Sequence, residues 1–163
     1  MKNSLLSVIV EDLAMAADLL NHFCQQSGQV EVVGTFSTVP EALAFLQNQK
    51  VDLIFLDVEL SGSTGFELMD ALTYSPSIIL TTSKAEYAYD AFQYHVNDFL
   101  KKPFSYKRFL ESLEKIQKAG VKEMAAPASV TDRPRTDHIF IKVDQKLVKL
   151  QPDEILYIES MGD

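Results

Sequence analysis

Residues Val51–Leu68 read VDLIFLDVELSGSTGFEL. Leu53, Ile54, Phe55, Leu56 and Val58 make its front half almost continuously apolar. A strand with one wet face alternates apolar and polar side chains; a strand buried on both faces does not. The run therefore predicts a strand over Val51–Asp57 inside a parallel sheet, covered by helices on both sides. Asp57 is the exception in it. An ionised carboxylate at the edge of a core costs several kcal/mol unless something neutralises it. The rest of the chain must supply what faces it.

The same alternation of apolar run and amphipathic stretch extends outward. Ser7–Val10, Val30–Phe36, Ser77–Thr82 and Asp98–Lys101 are further strand candidates. Between them, Leu13–Ser27 predicts a helix with Ala16, Leu19, Leu20 and Phe23 on one face. Thr38-Val39-Pro40-Glu41 fits a capping box with proline in the first turn, and Ala42, Phe45 and Leu46 give the following helix its stripe. Thr64–Ala71 and Glu86–Phe92 predict short helices, the first with Leu68, Met69 and Leu72 inward. A last helix starts after the N-cap Ser105 and runs to about Ala119, with Phe109, Leu113 and Ile116 on one face. Five strand–helix units in a row imply an α/β fold: a doubly wound, five-stranded parallel sheet of order 2-1-3-4-5. Its functional crevice lies at the C-terminal strand ends. No GxGxxG or GxxxxGK[ST] is present, so a dinucleotide or P-loop site is unsupported.

After this 1–119 domain, residues 120–137 are small, polar and proline-containing, as in a linker. HIFIKV and KLVKL then flank Asp144-Gln145 as in a hairpin, and EILYIES suggests another strand. Three short strands rarely make a stable domain, so 138–163 reads as the start of a second, all-β one. The net charge of −8 argues against non-specific attraction to nucleic acid. The single cysteine, Cys24, excludes an intrachain disulfide and predicts a small apolar helix residue. His22, His95 and His138 lie far apart, without metal-ligand spacing. No apolar run reaches about 18 residues, and the N-terminus turns acidic too early for a signal peptide. A cytoplasmic protein with no membrane partner is expected.

Polar residues gather where the strands end. The first ends in Glu11-Asp12, the third in Asp57, the fourth in Thr81-Thr82, and the fifth runs into Lys101-Lys102-Pro103. Three carboxylates at one crevice suit a magnesium ion. With a hydroxyl and a lysine added, they suit phosphoryl transfer to a carboxylate. Each piece has an ordinary reading as well: Asp12 before Leu13 as a helix cap, Thr82 as a strand end, Lys102 as a solvated cation. The weight lies in their joint occurrence at four strand ends.

VIVED, LIFLDVEL…TGFEL, ILTTSKAEYAYDAF and NDFLKKPF together strongly resemble the receiver domain of bacterial two-component response regulators, from Leu5 to about Ala119. The resemblance implies Mg2+ at Glu11, Asp12 and Asp57, with the Glu59 backbone carbonyl as a further ligand. It implies phosphorylation of Asp57 by a sensor histidine kinase, and a homodimer on phosphorylation. It selects Thr82 as the switch hydroxyl, because a small residue follows. It selects Lys102, because Pro103 follows, and implies a cis Lys102–Pro103 peptide. Phe99 matches the switch aromatic, and Tyr87, Tyr89 and Phe92 are candidates for the dimer surface. The tail HIFIKVDQKLVKLQPDEILYIESMGD resembles the opening of a LytTR-type DNA-binding domain, so DNA contact is expected only through the rest of such a domain. Two departures stand out. Ser61 replaces a frequent proline and is expected to loosen a loop, and Phe99 lacks the hydroxyl of the commoner tyrosine. Glu59 and Lys84, opposite charges two residues after Asp57 and Thr82, are expected to slow hydrolysis of an acyl phosphate. Two alternatives remain: a pseudo-receiver that only mediates protein contacts, and a haloacid-dehalogenase-like phosphatase in which Glu59 serves as the second acid.

Overall fold

The central strands are apolar on both faces because each face meets its own helical layer. The structure, a computed structural model, describes residues 4–124, 139–143 and 146–150. In chain order come strand β1 (Leu5–Val10), helix α1 (Ala14–Ser27), β2 (Val30–Phe36), α2 (Val39–Asn48) and β3 (Leu53–Asp57). A small ladder of β4 (Glu59–Leu60) and β5 (Ser63–Thr64) leads into α3 (Gly65–Ala71) and β6 (Ser77–Thr82). A 3-10 turn (Ala85–Tyr87), α4 (Ala88–Gln93), β7 (Asp98–Lys101) and α5 (Tyr106–Met124) complete this part. The long strands form one parallel sheet in the order β2-β1-β3-β6-β7. With the β4–β5 ladder set apart, this is the expected 2-1-3-4-5.

Side chains alternate along each strand between two cores. Ile54, Leu56 and Leu80 pack with Ala42 and Leu46 of α2, Leu68 of α3 and Ala91 of α4. Leu53, Phe55 and Ile79 pack with Leu20 and Cys24 of α1 and with Phe109, Leu113 and Ile116 of α5. Phe55 and Phe109 stack at 5.6 Å between ring centres. Thr38 caps α2 by accepting from the Glu41 N–H at 3.4 Å, and Ser105 accepts from the Arg108 N–H at 3.1 Å at the start of α5.

Three details depart from the sequence reading. The buried face of α1 is Ala17, Leu20 and Cys24, so the expected stripe is rotated and Leu19 stands 45% exposed. The apolar arc of α1 is wider than the sheet covers, since Leu13, Met15 and Leu19 stay exposed. The expected Glu86–Phe92 helix begins as a 3-10 turn, closed by the Tyr87 N–H donating to the Lys84 carbonyl at 3.4 Å. Helix α5 continues past Ala119 to Met124, into the stretch read as linker.

The chain divides into two units, Met1–Ala126 and Pro127–Asp163. In the second, β8 (Ile139–Val143) pairs antiparallel with β9 (Lys146–Leu150), the hairpin expected of HIFIKV and KLVKL. The strand expected over EILYIES, and His138, lie outside the described residues.

Candidate functional site

The C-terminal ends of β1, β3, β6 and β7 meet in one crevice. Glu11 follows β1 and is 2% exposed; Asp57 closes β3 and is 4% exposed. Lys102, just beyond β7, reaches both. Its ammonium donates to Glu11 Oε2 at 2.5 Å and lies 3.3 Å from Asp57 Oδ2. Asp57 Oδ1 accepts from the Glu59 N–H at 3.2 Å. Glu11, Asp12 and Asp57 each place a carboxylate oxygen within 4.8 Å of the others. That donor set, three hard oxygens in a small space, fits a small divalent cation.

One lysine serves two buried carboxylates, and the charge is left unbalanced. The Asp57 carboxyl is raised to about 6, chiefly by burial, with Lys102 opposing the rise and Glu11 adding to it. Burial also opposes the Lys102 charge, but Glu11 and Asp57 more than offset this and hold the ammonium above the ordinary lysine range. Asp12 sits below the usual carboxylate range, first because the Ser61 hydroxyl donates to it. The helix-cap reading of Asp12 fails: α1 has Leu13 at its N-cap with no side-chain bond, and the Leu13 N–H goes to Glu11 Oε1 at 3.1 Å.

The two threonines differ. Thr82 Oγ1 accepts from the Lys84 N–H at 3.1 Å. Thr81 is fully buried, and its hydroxyl is without a hydrogen-bond partner. Such a group costs about 1–3 kcal/mol. Across the mouth of the crevice, Glu59 pairs with Lys84 at 2.6 Å and accepts from the Ser83 hydroxyl at 3.2 Å. The Glu59 carboxylate is thus turned to the β6 loop and not to Asp57, where a phosphatase acid would stand. Phe99 is half-buried against the core beneath α2, α3 and α4, and the Lys102–Pro103 peptide is cis.

Three features were not read from the sequence. Ser61 does not loosen its loop: its N–H and hydroxyl both donate to Asp12 Oδ2, at 3.0 and 2.7 Å. A proline there would supply neither donor. Gly65 opens α3 against the end of β3, where a Cβ would lie 2.5 Å from the Asp57 carbonyl oxygen. Only glycine tolerates that approach. Beside the crevice, Leu13, Met15 and Leu19 on the α1 side are 62%, 87% and 45% exposed. Leu19 also lines an apolar recess of about 340 Å³, with Ala16, Leu20, Ser83, Lys102, Pro103 and Phe104.

Known proteins resemble this chain in sequence and in fold. The response regulator receiver domain model matches residues 8–114. The sensory transduction protein LytT of Enterococcus faecalis is 31% identical over 162 residues, covering 96% of this chain and 65% of that protein. The transcriptional regulatory protein YpdB of Escherichia coli is 30% identical over 158 residues, covering 94% of this chain and 64% of that protein. The chain thus spans somewhat under two thirds of these relatives' lengths. The crystal structure of the response regulatory domain of protein mrkE from Klebsiella pneumoniae superposes with a TM-score of 0.66 at 32% identity, covering 72% of this chain and 98% of that one. Receiver domains of this kind are signalling modules and not classical enzymes. Glu11 through Lys102, the whole crevice, falls inside the matched residues, and the chain belongs to the response regulator receiver domain family.

Proposed function

We propose that Asp57 accepts a phosphoryl group from the phosphohistidine of a sensor kinase, and that the resulting change controls a DNA-binding output domain. The observation that carries this reading is the Lys102 ammonium, 2.5 Å from Glu11 and 3.3 Å from Asp57 in a buried crevice. An Asp57 carboxylate oxygen attacks phosphorus, the phosphorus–nitrogen bond of the donor breaks, and its electron pair returns to the imidazole. Lys102 faces the phosphoryl oxygens and offsets their growing charge. Glu11, Asp12, Asp57 and the Glu59 carbonyl would hold Mg2+, which would supply the remaining positive charge. Asp57 then stays as an acyl phosphate until water removes it, behind the Glu59–Lys84 pair.

Thr82 accepts from the Lys84 N–H and keeps its own O–H free to donate to a phosphoryl oxygen as it turns toward Asp57. That movement draws the β6 loop inward and frees Phe99 to repack, without help from a phenolic hydroxyl. The surface around Tyr87, Tyr89 and Phe92 then changes; Tyr89 and Phe92 are 43% and 54% exposed and suit a homodimer contact. The apolar patch of Leu13, Met15 and Leu19 lies where a protein phosphodonor would land. The relatives' names, sensory transduction and transcriptional regulation, agree with this reading. Residues 138–163 are assigned to the opening of a LytTR-type domain, with residues 1–119 the receiver and the protein cytoplasmic. No described helix is long and apolar enough to cross a membrane.

Intact mass after incubation with Mg2+ and phosphoramidate tests the reading. The wild type gains one phosphoryl group, Asp57→Asn gains none, and size exclusion of the same samples reports dimerisation. An adduct that survives in Asp57→Asn overturns the assignment.

A further inference from the structure

The Thr81 hydroxyl is buried, faces the site's own row of residues and bonds to nothing. Valine would fill the same space without an orphaned oxygen. Sheet register shows where the hydroxyl stands. Thr81 pairs with Asp57 on one side and with Leu100 on the other. Neighbours in register on parallel strands share a sheet face. Phe55, Ile79 and Leu100 place that face under α1 and α5. Lys102 lies two residues beyond Leu100, and its N–H continues the ladder to the Thr82 carbonyl at 2.7 Å. To reach Asp57 on β3 from the end of β7, its arm must cross β6, because β6 lies between them. On that face of β6, Thr81 is the residue level with Asp57.

An ammonium has three donors. In this structure Lys102 donates one of them to Glu11 and lies 3.3 Å from Asp57 as an ion pair. We propose that Thr81 is a positioning residue that acts through Lys102: its hydroxyl accepts from the ammonium when Glu11 turns away to serve a bound cation. The exchange keeps Lys102 hydrogen-bonded and aimed at Asp57 without admitting water beneath its arm. It also explains why a partnerless hydroxyl occupies a fully buried position: its partner belongs to the loaded state. The inference rests on the phosphoacceptor reading for its chemistry and on the sheet register for its geometry.

Thr81→Val removes the hydroxyl at nearly constant shape, and Thr81→Ser keeps it. Without metal, Thr81→Val melts no lower than wild type, since it loses no bond. With Mg2+, titration calorimetry shows about fivefold weaker affinity in Thr81→Val, the value of one ordinary hydrogen bond. Phosphoramidate labelling, followed by mass, slows by a similar factor. Thr81→Ser stays within about twofold of wild type in both. A Thr81→Val variant that binds Mg2+ and labels as the wild type does overturns the proposal. A Thr81→Ser variant that fails alongside Thr81→Val also overturns it, by tying the effect to the methyl group. Absence of labelling in the wild type counts against the phosphoacceptor reading alone, and the Mg2+ affinities then decide the role of Thr81.

Discussion

The two ends of the sheet treat polar side chains in opposite ways. Where the strands begin, side chains close onto backbone. The Asp52 N–H donates to the Leu6 carbonyl at 2.8 Å while its carboxylate accepts from the Leu6 N–H at 2.9 Å. Asn97 repeats this with Ile78, at 2.9 and 2.8 Å. Asp98, 8% exposed, receives two bonds from Arg108 at 2.6 and 2.9 Å, one from Lys115 at 3.0 Å and one from the Phe99 N–H at 2.8 Å. Where the strands finish, Glu11 and Asp57 share one lysine and Thr81 has no partner. Polar burial at the first end is complete and holds the sheet together. At the second it is incomplete, and the negative charge left over on Glu11 and Asp57 favours a cation there.

Replacing the buried aspartate at each end by asparagine tests this contrast most sharply. Asp98→Asn leaves Arg108 and Lys115 without their carboxylate and is expected to cost about 3 kcal/mol in denaturant unfolding. Asp57→Asn is expected to raise metal-free stability at pH 7 by about 1–2 kcal/mol. The pH dependences also oppose each other. Burial pushes the Asp98 carboxyl up, but its bonds to Arg108 and Lys115 win and hold it below the usual range. Its stabilisation is therefore present above the unfolded pKa and lost as pH falls through the lower folded value. Asp57 is raised from 3.8 to about 6, so the native state binds its proton more tightly. Stability then falls as pH rises across that window and stays low above it. Urea melts from pH 3 to 8 should show the Asp57 component vanish in Asp57→Asn and persist in Asp98→Asn. Loss of stability in Asp57→Asn at pH 7 without metal would refute the idea of a frustrated end.

Asn97→Ala sharpens the comparison at a smaller scale. It strips the Ile78 N–H of its acceptor and is expected to cost about 1 kcal/mol. Phosphoramidate labelling of Asp57 should be unchanged, because Asn97 sits at the far end of the strands. Slower labelling at equal folded fraction would mean that the two ends are coupled.

How far the sequence discloses each end follows from the range of the interactions. Strand order and both cores were readable because a doubly buried strand leaves an unbroken apolar run, as in Leu53–Leu56. Glu11, Asp12, Asp57 and Lys102 were readable as a set because each sits where an apolar run stops. The face of α1 was not, since Ala16, Ala17, Leu19 and Leu20 are all small or apolar and only contact with the sheet selects among them. Ser61 was misread because its partner Asp12 lies 49 residues earlier. No local pattern announces such a bond. The orphaned hydroxyl of Thr81 was equally hidden, for a threonine among apolar strand residues is compatible with the strand on either reading.

The smallest expected effect lies at the mouth of the crevice. Glu59 and Lys84 pair at 2.6 Å with side chains 33% and 52% exposed. An exposed pair of this kind contributes little to stability and is weakened by salt. Alanine at both positions should therefore leave the melting temperature nearly unchanged. Its consequence should be kinetic. The pair and the Ser83 hydroxyl bond join the loops after β3 and β6, and on the proposed phosphoacceptor reading they would stand in the approach of water to Asp57. Opening that approach should shorten the lifetime of the phosphorylated protein, and Lys84→Ala alone should do most of it, because Glu59 then loses its main tether. Raising the ionic strength should shorten the wild-type lifetime toward that of the double variant and leave the double variant itself unmoved. If phosphate is lost at one rate from wild type and double variant at both salt concentrations, the pair does not guard the site. The mirror result, altered lifetime at constant melting temperature, is the opposite of what Asn97→Ala should give, and it would separate an end built for stability from an end built for chemistry.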